Sequence, residues 1–326
     1  MQRKIKIISS GVAVPERKIT DEDFDYNFNV KDSFKITGIK ERYMSVNETS
    51  SQLGALAANK AINNSDLNWK DIDCLIVASA TMDKALPYNA AMLHAELKLD
   101  EQTTTTFDIG ASCMSFMVAL DMASYLIECN RFKNIMIVSS DIPSYTLDFK
   151  NIRENGIFGD GAAAFIITKT PEDETSTLIV SKSLTLSKGV DFCQINAGGS
   201  RYHNRNNESY KDTFSMKGKN VFALVMREFP DFVNNLLSEA SLKKEDIDFF
   251  VPHQASMSAL THMFKELEIE EEKWINIFPY YGNQVGASLP TALHHAINQE
   301  KIKRNDLVYL LGSGAGITLG GLIFKY

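Results

Sequence analysis

The segment TTTFDIGASCMSFMVALDMASYLI, residues 104–127, decides how this chain is read. TTTFDIG is rich in β-branched and aromatic residues and closes on a glycine, which predicts a strand stopped by a turn. Residues 111–127 are mostly apolar and hold neither proline nor glycine, which predicts a buried helix. A strand running directly into a buried helix marks an α/β sheet protein. It also puts Cys113 at or near a helix N-terminus. Unpaired backbone N–H groups and the positive end of the helix dipole meet there, and both favour a thiolate over a thiol. Cys113 is therefore a candidate nucleophile. The alternative is a cysteine packed as a small hydrophobe.

Outward from this segment, short apolar runs alternate with helical patterns. The first half gives DCLIVASAT (73–81), TTTFDIGAS (104–112), KNIMIVSSD (133–141) and GAAAFIITK (161–169). The second gives IDFFVPHQA (247–255), KWINIFPYYGN (273–283), DLVYLLGSG (306–314) and ITLGGLIFKY (317–326). Order and spacing match, which predicts an internal duplication too long in period for a solenoid. PEDETST (171–177) is the polar joint, dividing the chain into 1–172 and 173–326. Segments 11–50, 142–158 and 185–215 fall outside the repeat, and insertions of that kind tend to build substrate walls. At the N-terminus, KIKIISS alternates as a first strand does, and its short apolar run, broken by Lys6, argues against a signal peptide.

The composition, 44% hydrophobic and 23% charged, is that of a globular protein. A net charge of -7 gives no support to nucleic-acid binding, which needs clustered Lys and Arg. No run approaches a membrane span. Four cysteines without CxxC spacing suggest reduced thiols and a cytoplasmic setting. No two histidines have metal-ligand spacing with a carboxylate, so neither metal nor cofactor is expected.

In VPHQAS, His253 directly follows a buried strand, where ligands of α/β sheets bind. It can donate to a developing oxyanion or shuttle a proton. His294 and His295 lie on a predicted helix and read as surface or packing residues, while His94, His203 and His262 have no supporting context. In YYGNQVGAS, Asn283 occupies a glycine-flanked turn, either as a neutral hydrogen-bond donor or as a turn residue bonding its own backbone. LGSGAGITLGG is glycine-rich, but the chain ends at Tyr326 with strand-like sequence after the loop, so a dinucleotide fingerprint lacks its helix. A loop whose N–H groups face a reacting carbonyl fits better. FGDGAAA (158–164) reads as a structural turn before a strand.

Taken in order, Cys113 in DIGASCMSF, FGDGAAA, His253 in VPHQAS, Asn283 in YYGNQVGAS and GSGAGITLGG resemble the thiolase superfamily, specifically its β-ketoacyl-acyl-carrier-protein synthase III group. TGIKER (37–42) is similar to that group's early motif. The resemblance covers essentially the whole chain. It implies two αβαβαββ halves in a five-layered α-β-α-β-α sandwich, usually a homodimer, and an acyltransferase. Cys113 would take an acyl group from a thioester, with the N–H groups of Cys113 and Gly316 as oxyanion hole. His253 and Asn283 would stabilise the enolate left when a malonyl-type extender loses carbon dioxide, in fatty-acid or specialised polyketide and lipid biosynthesis. Leu86, Met114 and Phe158 are expected to line the acyl pocket. Acyl carrier protein is the expected partner, docking on Lys217, Lys219 and Lys265, with Ser258 where the family usually has a basic residue.

The chain also departs from the family. Asp32 and Ile36 stand where a tryptophan and an arginine usually sandwich the adenine of coenzyme A, and Arg153 lies one place out of register. A carrier-bound acyl donor is therefore expected. Acyl transfer to an alcohol or amine is a competing expectation that Asn283 opposes. A hydroxymethylglutaryl-type synthase would need a glutamate near Ala80. A non-catalytic partner subunit would normally lack the nucleophile.

Overall fold

The computed structural model describes residues 2–100, 102–202, 206, 208–209 and 211–326. The run CLIV is buried at every position, as a strand inside a parallel sheet covered on both faces must be. It is β2 (Cys74–Val77) of a five-stranded sheet that also holds β1 (Ile5–Ala13), β3 (Thr105–Asp108), β4 (Asn134–Asp141) and β5 (Gly161–Lys169). The strand order is β1-β5-β4-β2-β3. β2 runs parallel to β3 and β4, while β5 is antiparallel to β1 and β4.

The second sheet holds β6 (Thr177–Thr185), β7 (Phe249–Pro252), β8 (Leu307–Gly314) and β9 (Thr318–Lys325) in the order β7-β8-β9-β6. β7 is parallel to β8, and β9 is antiparallel to β8 and β6. Strand for strand this repeats β2-β4-β5-β1, so the duplication is visible in the topology. One expected strand is missing. KWINIFPYYGN forms two isolated parallel bridges, Trp274 to Phe250 and Asn283 to Phe158, and Phe278–Tyr281 is a helical turn. The reason is local. Pro279 has no N–H to offer a neighbour, and the N–H groups of Ile277 and Phe278 donate instead to Oε1 of the buried Gln254, at 2.9 and 3.0 Å.

Six principal helices complete the layers: α1 (Ser50–Asn63), α2 (Asn89–Glu96), α3 (Ser115–Glu128), α4 (Gly218–Glu239), α5 (Met257–Glu266) and α6 (Ser288–Asn298). The alternation along each strand sorts its side chains between two apolar layers. Leu75, Val77, Met136 and Val138 face α1 and α2, through Leu53, Ala57 and Leu93. Cys74, Ile76, Ile135 and Ile137 face a central layer containing α3, α6 and the inner face of the second sheet. Tyr309, Leu311, Leu319 and Ile323 face α4 and α5. The result is helix, sheet, helix, sheet, helix. Among the described residues no helix is long and apolar enough to cross a membrane.

Candidate active site

Cys113 lies in a 3₁₀ turn, Ser112–Met114, between β3 and α3. Ser112 is in the left-handed region at φ 54, and Ser115 holds the turn. The Ala111 N–H donates to Ser115 Oγ at 2.9 Å, and that hydroxyl donates to the Ser112 carbonyl at 2.7 Å. The same device recurs in the second half. Val285 has φ 53, the Gln284 N–H donates to Ser288 Oγ at 2.7 Å, and a 3₁₀ turn, Val285–Ala287, leads into α6. In this repeat Gly286 occupies the position of Cys113. A Cβ there would lie 2.8 Å from Asp141 Oδ2, so the second turn has no room for a side chain. Left-handed Ser and Val are strained positions of the kind that gather at functional sites.

His253 follows β7. Its N–H donates to the Leu311 carbonyl at 2.8 Å, and Gly312 makes room for it, because a Cβ there would stand 2.6 Å from His253 Cβ. Burial pushes the imidazole down to about 4, so the ring is neutral near pH 7. Its Nδ1 has no hydrogen-bond partner among the described residues. Asn283 is fixed at both ends of its amide. Oδ1 accepts from the Val285 N–H at 2.8 Å and from Ser288 Oγ at 3.3 Å, while Nδ2 donates to the Ala255 carbonyl at 3.2 Å. Nδ2 therefore keeps a second N–H for a ligand. The two neighbouring glutamines anchor the loops. Gln254 Nε2 donates to the Pro252 and Ile275 carbonyls, and Gln284 Nε2 donates to the Asp160 carbonyl. The FGDGAAA turn is structural in this sense: a Cβ at Gly161 would lie 2.0 Å from Gln284 Nε2, and the Asp160 carboxylate accepts from Ser45 N–H and Ser144.

The resting thiol differs from the expectation of a lowered pKa. Burial pushes Cys113 up to about 11; the Ser112 hydroxyl and the N–H groups of Ala315 and Cys113 pull it down without matching that effect, and the Asp141 charge adds to the rise. A short 3₁₀ turn aims few N–H groups at the sulfur, so desolvation outweighs the helix end. Alkylation of Cys113 by iodoacetamide should accordingly rise about tenfold per unit between about pH 7 and about pH 10. Peptide mapping separates it from the exposed Cys129. A plateau below about pH 8 would contradict a neutral resting thiol.

Cys113, His253 and Asn283 line one cavity of about 1200 Å³. The sequence-derived residues divide around it. Phe158 is on the wall, held from behind by Arg42 of the TGIKER motif, a 1% exposed guanidinium that donates to the Gly156 and Phe158 carbonyls and lies over the Phe24 ring. Met114 is fully buried behind the wall, where Gly312 and Gly320 approach it, and does not line the cavity. Leu86 is 83% exposed and away from the cavity, because its loop runs over the surface. Lys217, Lys219, Ile36, Arg153 and Ser258 line the cavity; the exposed Lys265 and Asp32 do not. The second N–H facing the sulfur is that of Ala315, one residue before the expected Gly316, and Ala315 rather than Gly316 is on the wall.

His294 is buried with Nδ1 2.8 Å from Ser10 Oγ, and His295 packs on the Tyr281 ring, so both serve packing. His94 and His262 lie away from the cavity, and His203 is outside the described residues. Cys193 and Glu154 do line the cavity. Nothing in their local sequence pattern points inward. Among the described residues no group of three His, Cys, Asp or Glu could share a metal ion.

Two family models match: 3-oxoacyl-[acyl-carrier-protein (ACP)] synthase III over residues 107–188, and the C-terminal region of the same family over residues 237–326. A β-ketoacyl-[acyl-carrier-protein] synthase III of Natranaerobius thermophilus is 34% identical over 328 residues, covering 98% of this chain and 99% of the relative. One of Aquifex aeolicus is 30% identical over 323 residues, 98% and 99% of the two chains. The crystal structure of 3-oxoacyl-[acyl-carrier-protein] synthase III from Aquifex aeolicus superposes with a TM-score of 0.89 at 29% identity, covering 99% of this chain and 100% of that one.

Proposed function

The chain belongs to the β-ketoacyl-[acyl-carrier-protein] synthase III family of condensing acyltransferases, and from that premise we propose that Cys113, His253 and Asn283 carry a decarboxylative Claisen condensation. One observation carries the reading: a thiol from the first half and an imidazole and a carboxamide from the second open onto one cavity. We take residues 1–172 and 173–326 as these halves.

Cys113 sulfur attacks the thioester carbonyl of the acyl donor, and the donor thiol leaves with the proton given up by Cys113. The oxyanion formed in passing is held by the N–H groups of Cys113 and Ala315. Covalent capture divides one difficult condensation into two easier steps. A malonyl-type thioester then enters. As its carboxylate leaves as carbon dioxide, the electron pair of the breaking bond becomes an enolate, whose oxygen accepts from His253 and from the free N–H of Asn283. The enolate carbon attacks the acyl-Cys113 carbonyl and expels the sulfur. A neutral ring and a neutral amide suit this task, since neither hands the enolate a proton as an acid would. Burial strengthens both bonds.

The donor is read as an acyl carrier protein. Ile36 offers no stacking or ionic contact to a nucleotide, and Lys217 and Lys219 place positive charge at the cavity wall. A homodimer fits the uncovered edge of β3 and the exposed apolar Met82, Leu86 and Tyr88. Free thiols at all four cysteines favour a reducing compartment.

The test is intact-mass analysis of protein incubated with acyl-carrier protein and with the matching acyl-CoA, followed by malonyl-carrier protein. We expect an acyl adduct on Cys113, formed faster from the carrier and discharged with release of carbon dioxide. Discharge by an alcohol or amine without carbon dioxide would favour simple acyl transfer, and absence of any adduct would leave a non-catalytic subunit.

A further inference from the structure

The cavity is larger than capture of a two-carbon acyl group requires. Its volume of about 1200 Å³ exceeds the roughly 300–1000 Å³ of ordinary small-molecule sites. Part of the lining comes from two stretches outside the duplicated frame, one within 142–158 and the other formed by residues 193–195 and Phe214. They contribute the apolar Pro143, Leu147, Ile157, Phe158, Ile195 and Phe214, with Thr146, Arg153, Glu154 and Gln194 as the polar part of the wall. The two segments are tied to each other. The Phe214 N–H donates to the Thr146 carbonyl at 2.8 Å, and the Phe158 and Phe214 rings meet edge-on at 5.2 Å. A space so lined and so braced is suited to a greasy chain and poorly suited to standing empty.

Cys193 shares this cavity with Cys113. It lies in a short strand, Cys193–Gln194, paired with Ser215–Met216. Burial first of all holds the Cys193 thiol well above its ordinary value, and charge on Cys113 adds to the rise, so both thiols are neutral at rest. A cysteine is small, and a larger side chain at this position would take up cavity volume that an acyl tail on Cys113 could otherwise fill.

We propose that the acyl group taken up here is a medium- or long-chain fatty acyl group, its tail running past Cys193 into the space lined by Pro143, Leu147, Ile157, Phe158, Ile195 and Phe214. This rests on the condensing reading of the site and deepens it. Each further methylene moved from water onto such walls favours binding by about fourfold until the space is filled.

The experiment is a chain-length series of acetyl, hexanoyl and dodecanoyl thioesters on one and the same carrier, with Cys113 acylation rates read by intact mass. Dodecanoyl should acylate faster than acetyl by about tenfold or more at limiting concentration. Cys193→Phe should lower the dodecanoyl-to-acetyl ratio by about tenfold or more, and Cys193→Ala should leave that ratio near the parent value. Rates that fall steadily from acetyl to dodecanoyl in the unmodified protein would overturn the proposal and leave the condensing reading standing. If no thioester of any length acylates Cys113, both fall together.

Discussion

Cys113→Ala should lose condensation by at least about 10⁴-fold, because the step that stores the acyl group disappears with the sulfur. The variant should fold, since Ser112 and Ser115 hold the turn through backbone and hydroxyl bonds that do not involve the thiol. It should also keep a partial activity. His253 and Asn283 remain, so a malonyl thioester should still lose carbon dioxide and end as an acetyl thioester, uncoupled from any acceptor. Carbon dioxide release and condensed product, measured on one sample, separate the two steps. The alternative outcome is an acyl adduct on Cys193, a second thiol lining the same cavity. That result, or condensation within about tenfold of the parent, would take the nucleophile role from Cys113.

Asn283→Asp should cost condensation about 10²–10³-fold while Cys113 still acylates. The substitution is nearly isosteric, and one carboxylate oxygen can keep the bonds from the Val285 N–H and the Ser288 hydroxyl. The other oxygen then replaces an N–H donor, facing the Ala255 carbonyl and a developing enolate. Burial raises a carboxyl pKa, and the protonated acid regains a donor. The deficit should therefore shrink as pH falls, and Asn283→Ala should show no such recovery. Equal losses in acylation and condensation, independent of pH, would make Asn283 a turn residue only.

The sheets were legible because NIMIVSSD, GAAAFIITK and LVYLLGSG are continuous apolar runs, and only strands covered on both faces are written that way. The duplication was legible from their order. KWINIFPYYGN misleads because its strand-forming amides are claimed by Gln254, a partner about twenty positions upstream that no local pattern reveals. The three residues that meet at the cavity could be read because each adjoins an apolar run. The ionisation of Cys113 could not, since a helix N-terminus is written in sequence and desolvation depends on everything folded around the sulfur. A glycine-rich loop announces a backbone donor without saying which amide turns inward, so Gly316 was named where Ala315 faces the sulfur. Cys193 and Glu154 belong to insertions and Leu86 to a surface loop, whose paths follow long-range packing rather than periodicity.

The twin turns set one further condition on the chemistry. Cys113 heads α3 and Asn283 heads the approach to α6, and both helices occupy the central layer. The clearance between sulfur and carboxamide is thus gauged by how these helices seat. Ala119, Ala123, Ala292 and Ala296, at most 2% exposed, fill that layer. Alanine has no rotamers to absorb a misfit, so a bulkier residue at any of them would act as a shim. It would detune the reaction from a distance, with every reacting atom still in place.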